Sequence, residues 1–337
     1  MAESIWINRV SNPDRRMTGH YGAARAGSIA ALWLCAVLAA GLATAADRPL
    51  VCVLVPHFKD EYWLSVGYGI EREAARADAQ VVFHEAGGYR ALDRQVAQVA
   101  ECEARGADAI LIGAVDSDYP AMTDAIARAA RETPVFGLVN ALDSDALSAR
   151  IGVDWRDMGR AVGRYLAARH PAGTPPRTAV VVSGPPEAAW SVLLEAGLRE
   201  GLAESAVAIA DSFGADTGLR QQLGAVEDAL ARHPEADYLI GSAPAIEAAM
   251  GLFAARPEDD RPGLLATYIS HAVLRGLGNG RVLAAPFDDP IRQGVVAMRR
   301  ALGKDGEPGP GIVLLEAGDA GRGPRRLAPA EYFPTLD

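Results

Sequence analysis

The chain alternates short apolar runs with longer amphipathic stretches over most of its length. The apolar runs have the length of strands: Leu50–Val55, Gln80–Glu85, Ala109–Gly113, Val135–Val139, Ala179–Ser183, Val207–Asp211, Tyr238–Gly241, Leu264–Tyr268 and Val282–Pro286. The stretches between them are rich in alanine and repeat at helical spacing: Tyr68–Ala77, Leu92–Arg105, Ala121–Arg131, Asp157–Arg169, Val192–Ala203, Leu219–Arg232 and Ala245–Ala255. Strands that are buried on both faces read as continuous apolar runs, and helices between them give βαβ units. The pattern therefore predicts an α/β fold built on parallel sheets.

Proline and glycine interrupt this alternation near the middle of the chain. The segment His170–Arg177 (HPAGTPPR) ends one helix and precedes a second strand–helix series. Two such series predict two doubly wound lobes joined by a hinge, with a ligand cleft between them. We expect the first lobe to comprise residues 47–153 plus 289–311, and the second to comprise 154–288 plus 312–337.

Residues 1–46 have the features of a signal peptide. An apolar run, Ser28–Leu42, follows several arginines and precedes the sequence ATA, the small-x-small pattern of a cleavage site. A membrane anchor is the alternative, but it needs about 20 apolar residues and this run is shorter. We expect cleavage after Ala45 or Ala46 and export to the periplasm.

Charge and motifs limit the functional class. The chain of 337 residues has 33 Lys and Arg against 43 Asp and Glu, a net charge of -10. Because an acidic surface repels phosphate backbones, a nucleic-acid partner is not expected. The sequence has no G-x-S-x-G, Walker, G-x-G-x-x-G or H-E-x-x-H motif. We therefore expect a binding protein rather than an enzyme, with no metal and no cofactor.

Aromatic residues and aspartates gather near the predicted carboxyl ends of strands, where open α/β sheets bind ligands. They are Asp60, Tyr62, Trp63, Tyr89, Trp155, Tyr268 and Asp288. Aromatic faces attract methylated ammonium groups, with about 0.5–2 kcal/mol per favourable contact. The residues therefore predict a cleft for a small methylated amine. Packing of single rings, a helix N-cap at Asp60 and a turn at Asp288 are alternative explanations. Trp190 is expected at the hinge surface in preference to the pocket wall.

Two cysteines remain after the predicted cleavage site. Cys52 lies in the first strand, and Cys102 lies on the helix that crosses back over that strand. In an oxidising compartment this placement predicts a disulfide, with two buried free thiols as the alternative. Two cysteines alone do not make a tetrahedral zinc site.

Several segments resemble the TorT family of type I periplasmic binding proteins, which are relatives of the ribose-binding proteins. They include KDEYWLSVGYG, EAGGYRALDRQ, IGVDWRDMG and YISHAVLRGLGNG, and the likeness extends from about Cys52 to Arg299. The resemblance implies two hinged lobes that close on trimethylamine N-oxide or a related methylated amine. It places Tyr62, Trp63, Tyr89, Trp155 and Tyr268 in the pocket. It also implies a membrane sensor histidine kinase of the TorS type as the partner. The alternative is the substrate-binding subunit of an importer for betaine or choline.

The sequence departs from the sugar-binding members of this family. Those proteins carry an Arg on the helix after the first strand of the second lobe, and an Asn-Asp pair in the next loop. Here Val192, Leu194, Ala243 and Pro244 stand near those places. The hydroxyls of a sugar would be buried without partners beside them, so the sequence predicts a ligand other than a sugar.

Overall fold

A parallel sheet forms the centre of each lobe in the computed structural model, which describes residues 48–257, 260–304, 308–318 and 327–336. The two parallel-sheet α/β lobes that the sequence predicts are confirmed. Across these residues, none of the helices combines the length and the apolar character that a membrane span needs. The predicted signal peptide, residues 1–46, lies outside the described part of the chain.

The first lobe has one five-stranded sheet. Its strands are β1 (Leu50–Val55), β2 (Gln80–Glu85), β3 (Ala109–Ile112), β4 (Val135–Leu138) and β5 (Ala149–Ile151). They pair in the order β2-β1-β3-β4-β5, and every pair is parallel. The crossover helices are α1 (Glu61–Ala77), α2 (Leu92–Ala104) and α3 (Pro120–Ala129). Because all strands run the same way, their carboxyl ends meet at one edge, and the loops that follow them face the other lobe.

The second lobe has a six-stranded sheet. Its strands are β6 (Arg177–Ser183), β7 (Val207–Gly214), β8 (Tyr238–Gly241), β9 (Gly263–Ala266), β10 (Val282–Phe287) and β11 (Val313–Glu316). They pair in the order β11-β10-β9-β8-β6-β7, and only β11 is antiparallel to its neighbour. The helices of this lobe are α4 (Trp155–Arg169), α5 (Ala189–Leu202), α6 (Leu219–Arg232), α7 (Ala243–Leu252) and α8 (His271–Gly278).

Helix α9 (Pro290–Ala301) follows β10 and packs against α1 of the first lobe. Glycine allows the two helices to approach closely, since a Cβ on Gly294 would overlap the carbonyl group of Val66. Arg299 of α9 also forms an ion pair with the buried Glu73 of α1, with Nε and Oε1 3.1 Å apart. The chain therefore returns to the first lobe after completing most of the second sheet.

Residues 327–336 lie against the first lobe. Leu336 forms a parallel bridge with Phe83 of β2. The ring of Phe333 packs edge-on against Phe58, with centroids 5.9 Å apart. This segment thus covers apolar side chains beside the outer strand of the first sheet.

The position of this segment corrects one predicted boundary. Residues 312–337 were expected in the second lobe, and β11 within that range does join the second sheet. Residues 327–336 instead contact the first lobe, because the open edge of β2 and its apolar neighbours accept them there. The other lobe boundaries stay predictions.

Cys52 of β1 and Cys102 of α2 form a disulfide, with Cα atoms 5.9 Å apart. The predicted bond is confirmed, and the alternative of two free thiols is wrong. His84 lies beside the bond, so that one atom from each of the three residues falls within 4.8 Å of the others. Because the sulfurs are bonded to each other, they offer no thiolate to a metal.

Candidate functional site

Six aromatic side chains surround one cavity between the lobes. They come from the first turns of α1, α4 and α5, the loop after β2 and the loop after β9: Tyr62, Trp63, Tyr89, Trp155, Trp190 and Tyr268. All six are buried. Ring centroids are 5.0 Å apart for Trp155 and Trp190, and 5.5 Å apart for Tyr62 and Tyr268. We call these six residues the aromatic cage.

The cavity inside the aromatic cage is small. Asp60, Val139, Asn140 and Thr217 complete its wall. The cavity volume is about 10 Å³, which is about the minimum that a single water molecule needs. A sugar ring does not fit this arrangement. The rings would have to move less to admit a compact ligand than to admit a sugar.

Acidic N-caps position three rings of the cage. Asp60 is the N-cap of α1 and accepts a hydrogen bond from a backbone N–H of the first turn, which fixes Tyr62 and Trp63 at the start of the helix. Asp154 caps α4 in the same way and places Trp155 at its first position. Because both helices follow the carboxyl ends of strands, their first turns point toward the cleft.

Asp60 also belongs to the wall of the cavity. The hydroxyl of Tyr268 donates to Asp60 Oδ2 over 2.5 Å, and the backbone N–H of Tyr62 donates to Oδ1 over 3.0 Å. Burial raises the pKa of Asp60, although both hydrogen bonds act in the opposite direction. Asp60 is thus the N-cap of α1 and also part of the cavity wall, and its contact with a ligand stays a prediction.

Asp288 lies behind the cage and is not part of the cavity wall. Its Oδ2 accepts hydrogen bonds from the Tyr62 hydroxyl at 2.6 Å and from Gln293 Nε2 at 2.7 Å. Burial raises the pKa of Asp288 to about 6. Its carboxylate is thus directed at Tyr62, and the ligand contact predicted for Asp288 stays a prediction.

Trp190 is a wall of the cavity, which corrects its expected place at the surface. Its side chain is only 3% exposed. A Cβ at Gly184 would collide with its ring, and a Cβ at Gly113 would collide with the ring of Trp63 in the same manner. Trp190 lies in the first turn of α5, the helix that follows β6, just as Trp63 lies in the first turn of α1, the helix that follows β1. This repetition between the lobes is the signal by which the sequence could have revealed it.

Val139 contributes a strained backbone to the cavity wall. Its φ is 62°, a region that β-branched residues rarely occupy. Its N–H donates to the Ile151 carbonyl over 2.7 Å, and its carbonyl accepts from Trp155 Nε1 over 3.1 Å. The strained backbone of Val139 therefore supplies the acceptor that holds the Trp155 ring in place. Sequence reasoning missed Val139, Asn140 and Thr217, since no motif marks them.

Polar contacts join the lobes beside the cavity. His57 follows β1 and is buried, and its Nε2 lies 3.0 Å from Asp216 Oδ1 and 3.1 Å from Thr217 Oγ1 in the loop after β7. Burial alone would raise the pKa of Asp216, but the hydrogen bond and charge of His57 lower it below its ordinary value. Glu61 of α1 accepts the backbone N–H of His271 over 2.7 Å. These contacts hold the lobes together around the cage.

Comparison with known sequences identifies relatives. Residues 51–306 match the family described as the periplasmic binding protein domain, which is more than half of the chain. The periplasmic protein TorT of Escherichia coli (strain K12) is 37% identical over 252 residues, which cover 75% of this chain and 71% of that protein.

Solved structures give the same result. The complex of TorT with the TorS sensor domain, solved in the absence of ligand, matches with 35% identity and a TM-score of 0.74, covering 86% of this chain and 100% of that chain. The same complex in the presence of TMAO matches equally. An ABC transporter solute-binding protein from Bradyrhizobium sp. BTAi1 with bound Bis-Tris matches with 35% identity and a TM-score of 0.71, covering 87% and 90% of the two chains. With its two parallel-sheet lobes and a buried cavity between them, the chain belongs to the periplasmic binding proteins.

Proposed function

We propose that this protein is a periplasmic sensor-binding protein, which takes trimethylamine N-oxide or a related methylated amine into the aromatic cage and signals to a membrane sensor histidine kinase. The observation that carries the proposal is the enclosure of one small cavity by six aromatic rings. Residues 1–46 would act as the signal peptide that exports the chain.

The chemistry of the cage suits a methylated nitrogen. Ring faces attract the positive charge that the methyl groups share, by about 0.5–2 kcal/mol per contact, and more when water is excluded. Asp60 adds a carboxyl to the same wall. Rings outnumber the polar residues of the wall, Asp60, Asn140 and Thr217, and the hydroxyls of a sugar that face those rings would be buried unpaired. Ala243 and Pro244 are likewise buried and apolar where sugar-binding members carry polar groups.

The sensor role rests on the relatives. TorT has been solved with the TorS sensor domain both without ligand and with TMAO. For a signal, the ligand must bind one arrangement of the lobes better than another, because it shifts the equilibrium only by that difference in affinity. The contacts that His57 and Glu61 make with the second lobe are the contacts that such a change would break or form. The predicted crossings near residues 154 and 289 would serve as the hinge.

A second candidate is the substrate-binding subunit of an importer for betaine, choline or another small methylated amine. The Bradyrhizobium relative, which is an ABC transporter solute-binding protein, favours this alternative. Both functions use the same cage. They differ in which membrane protein contacts the outer surface of the closed lobes, a sensor kinase or the permease of an importer. In either case we propose that the ligand is bound and released unchanged, without catalysis.

Calorimetric titration of residues 47–337 tests the proposal. Trimethylamine N-oxide, betaine, choline and ribose are titrated separately, with and without the periplasmic domain of the proposed partner kinase. Selective binding of trimethylamine N-oxide, together with a complex with the kinase domain, would support the sensor function. Selective binding of betaine or choline without such a complex would favour the importer. Ribose binding, or no binding under any condition, would overturn both.

A further inference from the structure

The hydrogen-bond donors of the cage differ in whether they already have an acceptor. The Tyr62 hydroxyl donates to Asp288, and the Tyr268 hydroxyl donates to Asp60. The indole N–H of Trp155 donates to the Val139 carbonyl. The protein itself therefore satisfies these three donors.

Trp190 is different. Its Nε1 is buried and has no hydrogen-bond partner among the described residues. The ring is surrounded by other members of the cage, with Trp155 at 5.0 Å, Tyr89 at 6.1 Å and Tyr268 at 6.2 Å between centroids. A buried N–H without an acceptor destabilises the protein, and such groups are rare.

Packing alone does not explain this arrangement. If Trp190 only filled space above Gly184, a phenylalanine would cover the cage without leaving a polar group unpaired. Because the ring lines the cavity, a molecule bound there can supply the acceptor that the protein lacks.

We propose that Trp190 determines specificity by donating its indole N–H to an oxygen of the bound ligand, which selects an amine oxide over a methylated ammonium ion without an acceptor. This inference rests on the proposed function. The oxygen of an amine oxide carries formal negative charge, and hydrogen bonds to charged acceptors are the stronger ones. In this arrangement the other rings contact the methyl groups, and the Trp190 N–H donates a hydrogen bond to the oxygen.

Two ligands of nearly the same shape separate these contributions. Tetramethylammonium has a methyl group where trimethylamine N-oxide has its oxygen, so it keeps the cation–π contacts and loses the acceptor. Affinities of both ligands are measured by calorimetry for the wild type and for Trp190→Phe. We expect the variant to lose about 10- to 100-fold in affinity for trimethylamine N-oxide, and about threefold or less for tetramethylammonium.

Trp155→Phe is the matched control, since its N–H is donated within the protein. This variant should weaken both ligands by a similar factor. If Trp190→Phe also weakens both equally, or weakens neither, the inference is wrong and Trp190 serves packing alone. If the wild type binds tetramethylammonium but not trimethylamine N-oxide, the proposed ligand and this inference both fail.

A spectroscopic measurement on the wild type remains decisive if Trp190→Phe does not fold. In ¹⁵N-labelled protein, trimethylamine N-oxide should shift one indole N–H resonance strongly downfield, and tetramethylammonium should not. Equal shifts with the two ligands would overturn the inference.

Discussion

Tyr62 donates its hydroxyl to Asp288 over 2.6 Å, which links a ring of the aromatic cage to the point where the chain leaves the second sheet for α9. Gln293 of α9 donates to the same carboxylate oxygen. The other oxygen of Asp288 is buried and has no hydrogen-bond partner in the part of the chain that the structure describes. The orientation of Tyr62 therefore depends on a carboxyl group at the predicted hinge.

The pKa of Asp288 gives this link a pH dependence. Burial raises the pKa to about 6 in the folded protein, from about 3.9 in an unfolded chain. Between these values the folded state binds more protons, so this group destabilises the fold as the pH rises. We expect the free energy of unfolding to lose about 2–3 kcal/mol from Asp288 between about pH 4 and pH 7.

Asp288→Asn removes that titration and keeps an oxygen for Tyr62. Relative to the wild type, the variant should gain about 2–3 kcal/mol of stability between about pH 4 and pH 7. Urea denaturation of both proteins across this range measures the difference. A difference that does not change with pH would contradict the assignment.

Removal of a cage ring should abolish ligand binding. Trp63→Ala and Trp155→Ala each remove an aromatic face, and we expect a loss of at least about 100-fold in affinity for trimethylamine N-oxide. Calorimetry measures the affinity, and circular dichroism checks the fold. Phe253→Ala is the control, because Phe253 is equally buried but lies outside the cage. It should cost about 3–5 kcal/mol of stability and leave affinity unchanged. Normal affinity in both tryptophan variants would exclude the cage as the binding site.

The disulfide should stabilise the fold. Cys52 and Cys102 close a loop with a sequence separation of 50, and loops of this length are typically stabilised by about 2–4 kcal/mol. Dithiothreitol, or the double substitution of both cysteines by alanine, should lower the free energy of unfolding by that amount in urea. Thiol titration of the exported, denatured protein without reductant supplies the check. Two reactive thiols per chain would show that the bond does not form.

The contact between His57 and Asp216 should favour the arrangement in which the lobes meet. Asp216→Asn removes the charge of a partly exposed pair, so we expect an affinity loss of about two- to tenfold and a larger radius of gyration in solution scattering. Because the pKa of Asp216 is lowered, its contribution is present at neutral pH and is lost only in acid, as the carboxyl becomes protonated. Asp237→Asn breaks the Arg177–Asp237 pair within the second lobe and should leave affinity unchanged. Equal effects of the two variants would mean that the His57 contact does not couple to ligand.

The fold followed from the sequence because the apolar runs of buried parallel strands are unambiguous. Each run predicted as a strand overlaps a strand of the structure, namely β1 to β4 and β6 to β10. The short strands β5 and β11 were not predicted. Residues 327–336 were misplaced because they have no helical or strand period, and only contacts with Phe58 and Phe83 determine their position. Such contacts between distant segments leave no local pattern.

The wall of the cavity was predicted only in part. Tyr62, Trp63, Tyr89, Trp155 and Tyr268 line the cavity as expected, since each follows a strand at its carboxyl end. Asp288 also lies near a strand end, but sequence position does not reveal in which direction a carboxylate points. Val139 combines a positive φ with a hydrogen bond from the Trp155 indole, and no residue type in that segment predicts either feature.

The bridge between Leu336 and Phe83 has a consequence for solubility. It occupies part of the outer edge of β2, the strand that ends the first sheet. An uncovered strand edge presents unpaired amide and carbonyl groups that pair readily with another molecule. A protein shortened before residue 327 would lose this cover over the edge and over Phe58 and Phe83, so we expect it to aggregate more readily than the full chain.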